Sequence, residues 1–93
     1  MPTYYLTDDL DYNSYVTLDK NDVIDCAVKD ANLILDDNFT DLNTDTIRAM
    51  KTVIQSPALD FDTVIFPICR QLCDLAGDYL TDTKPSDLTE RDC

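Results

Sequence analysis

DFDTVIFPICRQLCDLAGDYLT, residues Asp60 to Thr81, is the stretch whose reading decides the fold. At helical period, Val64, Ile65, Ile68, Leu72, Leu75, Ala76, Tyr79 and Leu80 fall on one wide apolar face. Read this way, the segment predicts a helix that starts around Asp60–Asp62 and ends near Thr81. Pro67 lies about one turn inside it. There it costs little if the helix begins at Thr63 or later, and otherwise bends the first turn. Gly77 then weakens the helix slightly and leaves room for another helix to approach closely.

Upstream, DKNDVIDCAVKDANLILDD, residues Asp19 to Asp37, carries the same period without a gap. Val23, Ile24, Ala27, Val28, Ala31, Ile34 and Leu35 make the apolar stripe. Asp22, Asp25 and Asp36 occupy the opposite side, with Asp30 and Asp37 nearer its edges and Lys29 the one cation inside the helix. A cap near Asp19 or Asn21 starts this helix. Leu33 and Cys26 fall off the stripe, and Leu33 is where an N-terminal arm lying over that side would dock. Between the two long segments, Thr44 or Asp45 caps a shorter helix that runs to about Ser56. Ile47, Met50, Val53 and Ile54 form its stripe, and Pro57 stops it. Its other side carries Arg48 and Lys51.

The ends of the chain read differently. Tyr4–Leu6 and Tyr15–Leu18 have strand character, with an Asp/Asn-rich turn between them, so residues 1–18 form a short hairpin or an extended arm. Residues 82–93 are polar and read as a flexible tail. The single glycine argues against an all-β fold, because tight turns lean on glycine for positive φ. The expectation is therefore a mainly α chain of one domain, 1–93. In it, three helices across 19–81 follow a short extended or β-hairpin N-terminal segment.

Charge is the strongest compositional signal. Nineteen acidic residues face seven basic ones in 93 residues, a formal net charge of −12. Eighteen of the nineteen are Asp, although Glu is the better helix former. Asp caps helices and turns and holds its carboxylate close to the backbone with few rotamers, which fits fixed carboxylates at helix starts and loops. Such a surface repels nucleic acids and anionic membranes, and partners should be basic proteins or cations. The N-terminus lacks the cationic and apolar regions of a signal peptide. No apolar run approaches the length of a membrane span, so a cytoplasmic location is expected.

The residues that could carry chemistry are few. Histidine is absent, and the adjacent carboxylates Asp8/Asp9 and Asp36/Asp37 are common in so Asp-rich a chain, so no enzyme is expected. One glycine cannot build a phosphate loop or a nucleophile elbow. Cys26, Cys69, Cys73 and Cys93 match no zinc spacing. Cys69 and Cys73, one helical turn apart, read as small buried apolar residues. Asp9-x-Asp11-x-Asn13 and Asp41-x-Asn43-x-Asp45 reproduce the first oxygen donors of a calcium loop. Ser14 and Thr46 stand where that loop needs glycine, and Lys20 and Thr52 where it needs a closing glutamate. No metal site or cofactor is therefore assigned.

The dispersal of aspartates along folded elements, unlike a terminal acidic tail, leaves electrostatic complementarity to a basic groove as the leading function. Duplex DNA carries one negative charge per roughly 1.7 Å of axis, and the proteins that read it present Arg/Lys grooves. In size, charge and helical content the whole chain resembles the small acidic DNA-mimic inhibitors that bacteriophages direct against restriction enzymes, CRISPR effectors and other host DNA-binding proteins. No residue motif carries this resemblance. It implies an inhibitor, in the host cytoplasm if phage-encoded, that occupies the groove of a basic nucleic-acid-binding protein. The candidate contacts are Asp8, Asp9 and Asp11 with the rings of Tyr12 and Tyr15, then Asp22, Asp25, Asp30, Asp36 and Asp37. The Arg48/Lys51 side would face away or self-associate, and a homodimer would lengthen the charged surface. The competing readings are an acidic interaction subunit, a salt-adapted domain without mimicry and a weak calcium-binding module.

Overall fold

In a computed structural model, which describes residues 3–8, 11–37 and 42–91, the chain is α+β. The order is β1 (Tyr4–Thr7), β2 (Ser14–Leu18), α1 (Lys20–Asp37) and α2 (Thr44–Ile54). A π-helical turn (Phe61–Ile65), α3 (Phe66–Leu75), β3 (Tyr79–Thr81) and β4 (Thr89–Glu90) follow. The strands form one mixed sheet in the order β3-β1-β2-β4. β1 is antiparallel to both β2 and β3, and β4 lies parallel to β2. The mainly α expectation is thus corrected: strands stand at both ends of the chain.

Gly77 is where the helical reading of Asp60–Thr81 fails. Its φ is +90°, which closes α3 with a left-handed residue. The Asp78 N–H donates to the Cys73 carbonyl at 2.8 Å and the Gly77 N–H to the Asp74 carbonyl at 3.1 Å, the paired bonds of a Schellman cap. A Cβ added at Gly77 would meet nothing within 4 Å, so dihedral freedom rather than close packing calls for glycine here. Beyond the cap, Tyr79, Leu80 and Thr81 have strand propensity and pair with β1, Leu80 opposite Leu6. The apolar period continues past the cap only because a strand places Leu80 on the core side as well.

Pro67 explains the start of this segment. It lies at the beginning of α3 and has no N–H to give to a carbonyl one turn back. The preceding turn widens to π geometry, with the Phe66 N–H reaching the Phe61 carbonyl. Asp60 caps it, its Oδ2 accepting from the Thr63 N–H at 2.9 Å and the Thr63 hydroxyl at 2.7 Å.

The core lies between one face of the sheet and the three α-helices. Val23, Ala27, Ala31 and Ile34 of α1 meet Ile47 and Ile54 of α2 and Cys69, Leu72 and Cys73 of α3. From the sheet come the same-face pairs Tyr4/Leu18 and Leu6/Val16. Tyr4 also stacks on Phe61 and Phe66, with ring centroids 5.3 and 5.0 Å away, and its hydroxyl donates to Asp62 at 3.2 Å. Lys20 places its ammonium 5.2 Å from the Phe61 ring centroid. Leu33 stays exposed, so the N-terminal strands do not dock over it.

Of the tail expected at 82–93, the described residues 82–91 form a strap. β3 and β4 occupy opposite edges of the sheet, so the connection between them crosses it. On the sheet face away from the helices, Thr7, Tyr15 and Thr81 are buried. The strap is fastened to β2 by the Thr89 N–H on the Asn13 carbonyl and the Arg91 N–H on the Tyr15 carbonyl, at 3.1 and 2.7 Å. The Arg91 guanidinium then reaches Asp8 at 2.7 Å.

Candidate functional site

The exposed side of α1 is the strongest candidate surface. Asp19 and Asp22 build its start reciprocally. The Asp22 N–H donates to Asp19 Oδ1 at 2.9 Å, and the Asp19 N–H donates to Asp22 Oδ2 at 3.3 Å. This is a capping box with aspartate in the glutamate position. From there Asp22, Asp25, Lys29, Leu33 and Asp36 project from one stripe about 80° wide, all exposed, and Asp37 ends the helix beside it. Asp22 and Asp36 are fourteen residues apart, about 21 Å along the axis.

A DNA strand would place about six phosphates along that length. The stripe offers three carboxylates and an ammonium, so it alone falls well short of one strand. Cys26, half-buried beside the stripe, has its thiol pushed up to about 11, first by burial and then by the charges of Asp30, Asp78 and Asp22, with Lys29 opposing. Asp78, in the turn between α3 and β3, is thus one of the charges near Cys26.

The other candidate contacts divide. Asp8 is consumed by Arg91. Asp9, like Asp41 of the second calcium-like triad, lies outside the described residues. Asp11 turns back on its own loop and accepts from the Asn13 N–H and the Ser14 hydroxyl, both at 2.9 Å. Those two hydrogen bonds hold its carboxyl below the usual carboxylate range. Tyr12 at the hairpin turn is 63% exposed. Tyr15 is 3% exposed, edge-on to Tyr5 beneath the strap, and is withdrawn from the contact surface. Asp30 is corrected likewise: at 4% exposure its carboxylate faces inward, and its Oδ2 has no hydrogen-bond donor among the described residues. Its position beside the apolar stripe, one turn from Ile34, decides this. Near the edge of a helical face, the packing of α3 rather than the period sets which side is solvated.

No family model, curated protein or solved structure matches this chain.

The remaining chemistry is quiet. Burial pushes the Cys69 thiol up to about 12 and the Cys73 thiol higher still, so both remain protonated at neutral pH and are poor nucleophiles or ligands. No group of three or more Cys, Asp or Glu among the described residues is arranged to hold a metal ion. In the two calcium-like triads, Asp11 is occupied as above. Asn43 caps α2, its Oδ1 accepting from the Asp45 N–H at 2.7 Å. No helix among the described residues is long and apolar enough to cross a membrane. The cations of α2 are engaged locally, Arg48 with Asp45 at 3.3 Å and Lys51 with Asn32 of α1 at 2.7 Å.

Two features escaped sequence reasoning. One is the charge of Asp78 on the α1 side. The other is a groove of about 390 Å³ between α3 and β3, walled by Pro67, Arg70, Gln71 and Asp74 on the helix and by Asp78, Tyr79 and Leu80 on the strand side. The helical wall was legible as the i, i+3, i+4, i+7 polar stripe of α3. The strand wall was hidden by reading Tyr79 and Leu80 as helix.

Proposed function

We propose that this chain is an acidic DNA-mimic inhibitor that binds the basic groove of a nucleic-acid-processing protein and excludes its substrate. The observation that carries the reading is the row of exposed carboxylates on α1, Asp22, Asp25 and Asp36 with Asp37, held on a rigid helix whose opposite face is locked into the core. Even with Lys29 in its middle the row is net negative, and net charge on a rigid scaffold speeds association with an oppositely charged cleft. The row runs about 21 Å along the helix axis, which suits an elongated cleft such as a nucleic-acid channel.

Affinity capture from a bacterial lysate at low ionic strength, followed by elution with duplex DNA, tests the reading. Nucleic-acid enzymes should be retained and released by DNA. Their affinity should fall steeply between about 0.05 and 0.5 M salt as the Debye length shrinks below the spacing of the row. Reversal of Asp22, Asp25 and Asp36 to Lys should leave the far-ultraviolet circular dichroism unchanged and abolish capture. Capture that survives the reversal, or that ignores salt, refutes the proposal.

A further inference from the structure

We infer that the groove between α3 and the outer edge of β3 takes an extended cationic segment of the basic partner as a fifth strand of the sheet. β3 is an edge strand: among the described residues its one strand neighbour is β1, so alternate N–H and C=O groups of Tyr79–Thr81 point away from the sheet. Edges of this kind template the addition of another strand. What distinguishes this edge is the wall facing it. Pro67, Arg70, Gln71 and Asp74 recur one turn apart along the exposed side of α3 and run beside the strand. A chain added to β3 would therefore lie in a channel, its alternate side chains over α3. Tyr79, 53% exposed, offers its ring at the channel mouth.

Charge selects the occupant. The channel sets Asp74 and Asp78 against Arg70, a net negative balance in a strongly acidic chain, which favours lysine or arginine at alternate positions of the incoming segment. The same charge disfavours a second copy. An antiparallel β3–β3 pair on a dyad centred on Leu80 would set Asp78 of each copy opposite Asp82 of the other. The inference rests on the basic-partner reading above and adds to it a backbone-directed mode of recognition.

The probes are two short capped peptides of equal charge, one alternating lysine with valine and one of the same sequence methylated at every backbone nitrogen, which removes its N–H donors and blocks strand pairing on either edge. Amide exchange and chemical shifts of the intact protein are followed by NMR at low salt. With the lysine–valine peptide about tenfold above its Kd, the outward-facing amides of Tyr79–Thr81 should exchange about tenfold more slowly. Shift changes should fall on β3 and on Arg70–Asp74, and the N-methylated peptide should produce no such slowing. Asp74→Lys should weaken the lysine–valine peptide about tenfold, while Asp36→Lys should leave it within about twofold. Equal behaviour of the two peptides overturns the inference, as do shifts confined to Asp22, Asp25 and Asp36 with β3 exchange unchanged. In that last case the basic-partner reading survives. Failure of both peptides to bind at low salt removes both. A dimer in sedimentation that Asp82→Lys strengthens would instead assign the edge to a second copy and overturn the inference.

Discussion

Replacing Gly77 by L-alanine and by D-alanine separates two readings of the Asp60–Thr81 segment by sign. If α3 ran through residue 77, an L-alanine there would stabilise the protein by about 1 kcal/mol, the helix-interior difference between the two residues. In the structure, Gly77 sits at φ +90° with open space around a prospective Cβ, so no steric contact enters the sum. An L-residue in left-handed geometry costs about 1–2 kcal/mol, offset by about 0.4–1 kcal/mol from the reduced freedom of the unfolded chain. The net is a destabilisation of about 1 kcal/mol, a fall in Tm of about 4–8 °C for a domain of this size. D-alanine, introduced by chemical ligation, meets no backbone penalty and keeps the entropic gain, so its Tm should rise by a few degrees. Urea unfolding followed by circular dichroism gives both values. Shifts of the same sign for L- and D-alanine, or a stabilising L-alanine, would refute the cap and with it the boundary between α3 and β3.

Other perturbations test the electrostatics. The last turn of α1 carries Asp36 and Asp37 and no cation, against the helix dipole. Asp36→Lys with Asp37→Lys should therefore raise stability by about 1 kcal/mol while weakening partner capture, opposite effects read by urea titration and by binding. Asp30→Leu replaces a buried carboxyl, one oxygen of which lacks a donor among the described residues, by an apolar group of similar size and should raise unfolding stability by about 1–3 kcal/mol in urea titration. The Tyr4 phenol is pushed up to about 12 by burial, then by its hydrogen bond to Asp62 and by the charges of Asp62 and Asp82. Its native pKa lies above the unfolded one. That contribution is therefore complete below pH 10 and lost as pH rises towards 12, and Tyr4→Phe should flatten this alkaline limb of a pH–stability profile. At the acid end, Asp11 and Asp60 are held below their ordinary range by local hydrogen bonds. Their contribution is present above the usual carboxylate pKa and disappears as pH falls through the native values, which Asp60→Asn should diminish.

The amphipathic helices were legible because their stripes are long and uninterrupted. α1 occupies the span expected from Val23 to Leu35, and the hairpin of β1 and β2 follows from Tyr4–Leu6 and Tyr15–Leu18. What escaped was decided by single backbone features. One left-handed residue turned the end of a helix into a strand, and two residues, Thr89 and Glu90, joined a polar tail to the sheet. A two-residue strand has no period to detect. Of the candidate contacts, the α1 carboxylates at the centre of the polar face are exposed as read. Asp30 at its edge and Tyr15 on the second face of β2 were misplaced, because burial there depends on what packs over them and not on their own spacing.

The strap also bears on how the chain reaches its fold. β4 joins β2 across some seventy-five residues, and the Arg91–Asp8 pair closes a loop of eighty-three. These long-range contacts form late, since the entropy of loop closure precedes any gain from them. During synthesis β2 emerges early, and its outer edge waits uncovered until residues 89–91 leave the ribosome. Interrupting translation short of Thr89 should therefore yield chains that associate through β2. The carboxylates of α1, already displayed on such chains, would keep those associations weak until the strap arrives.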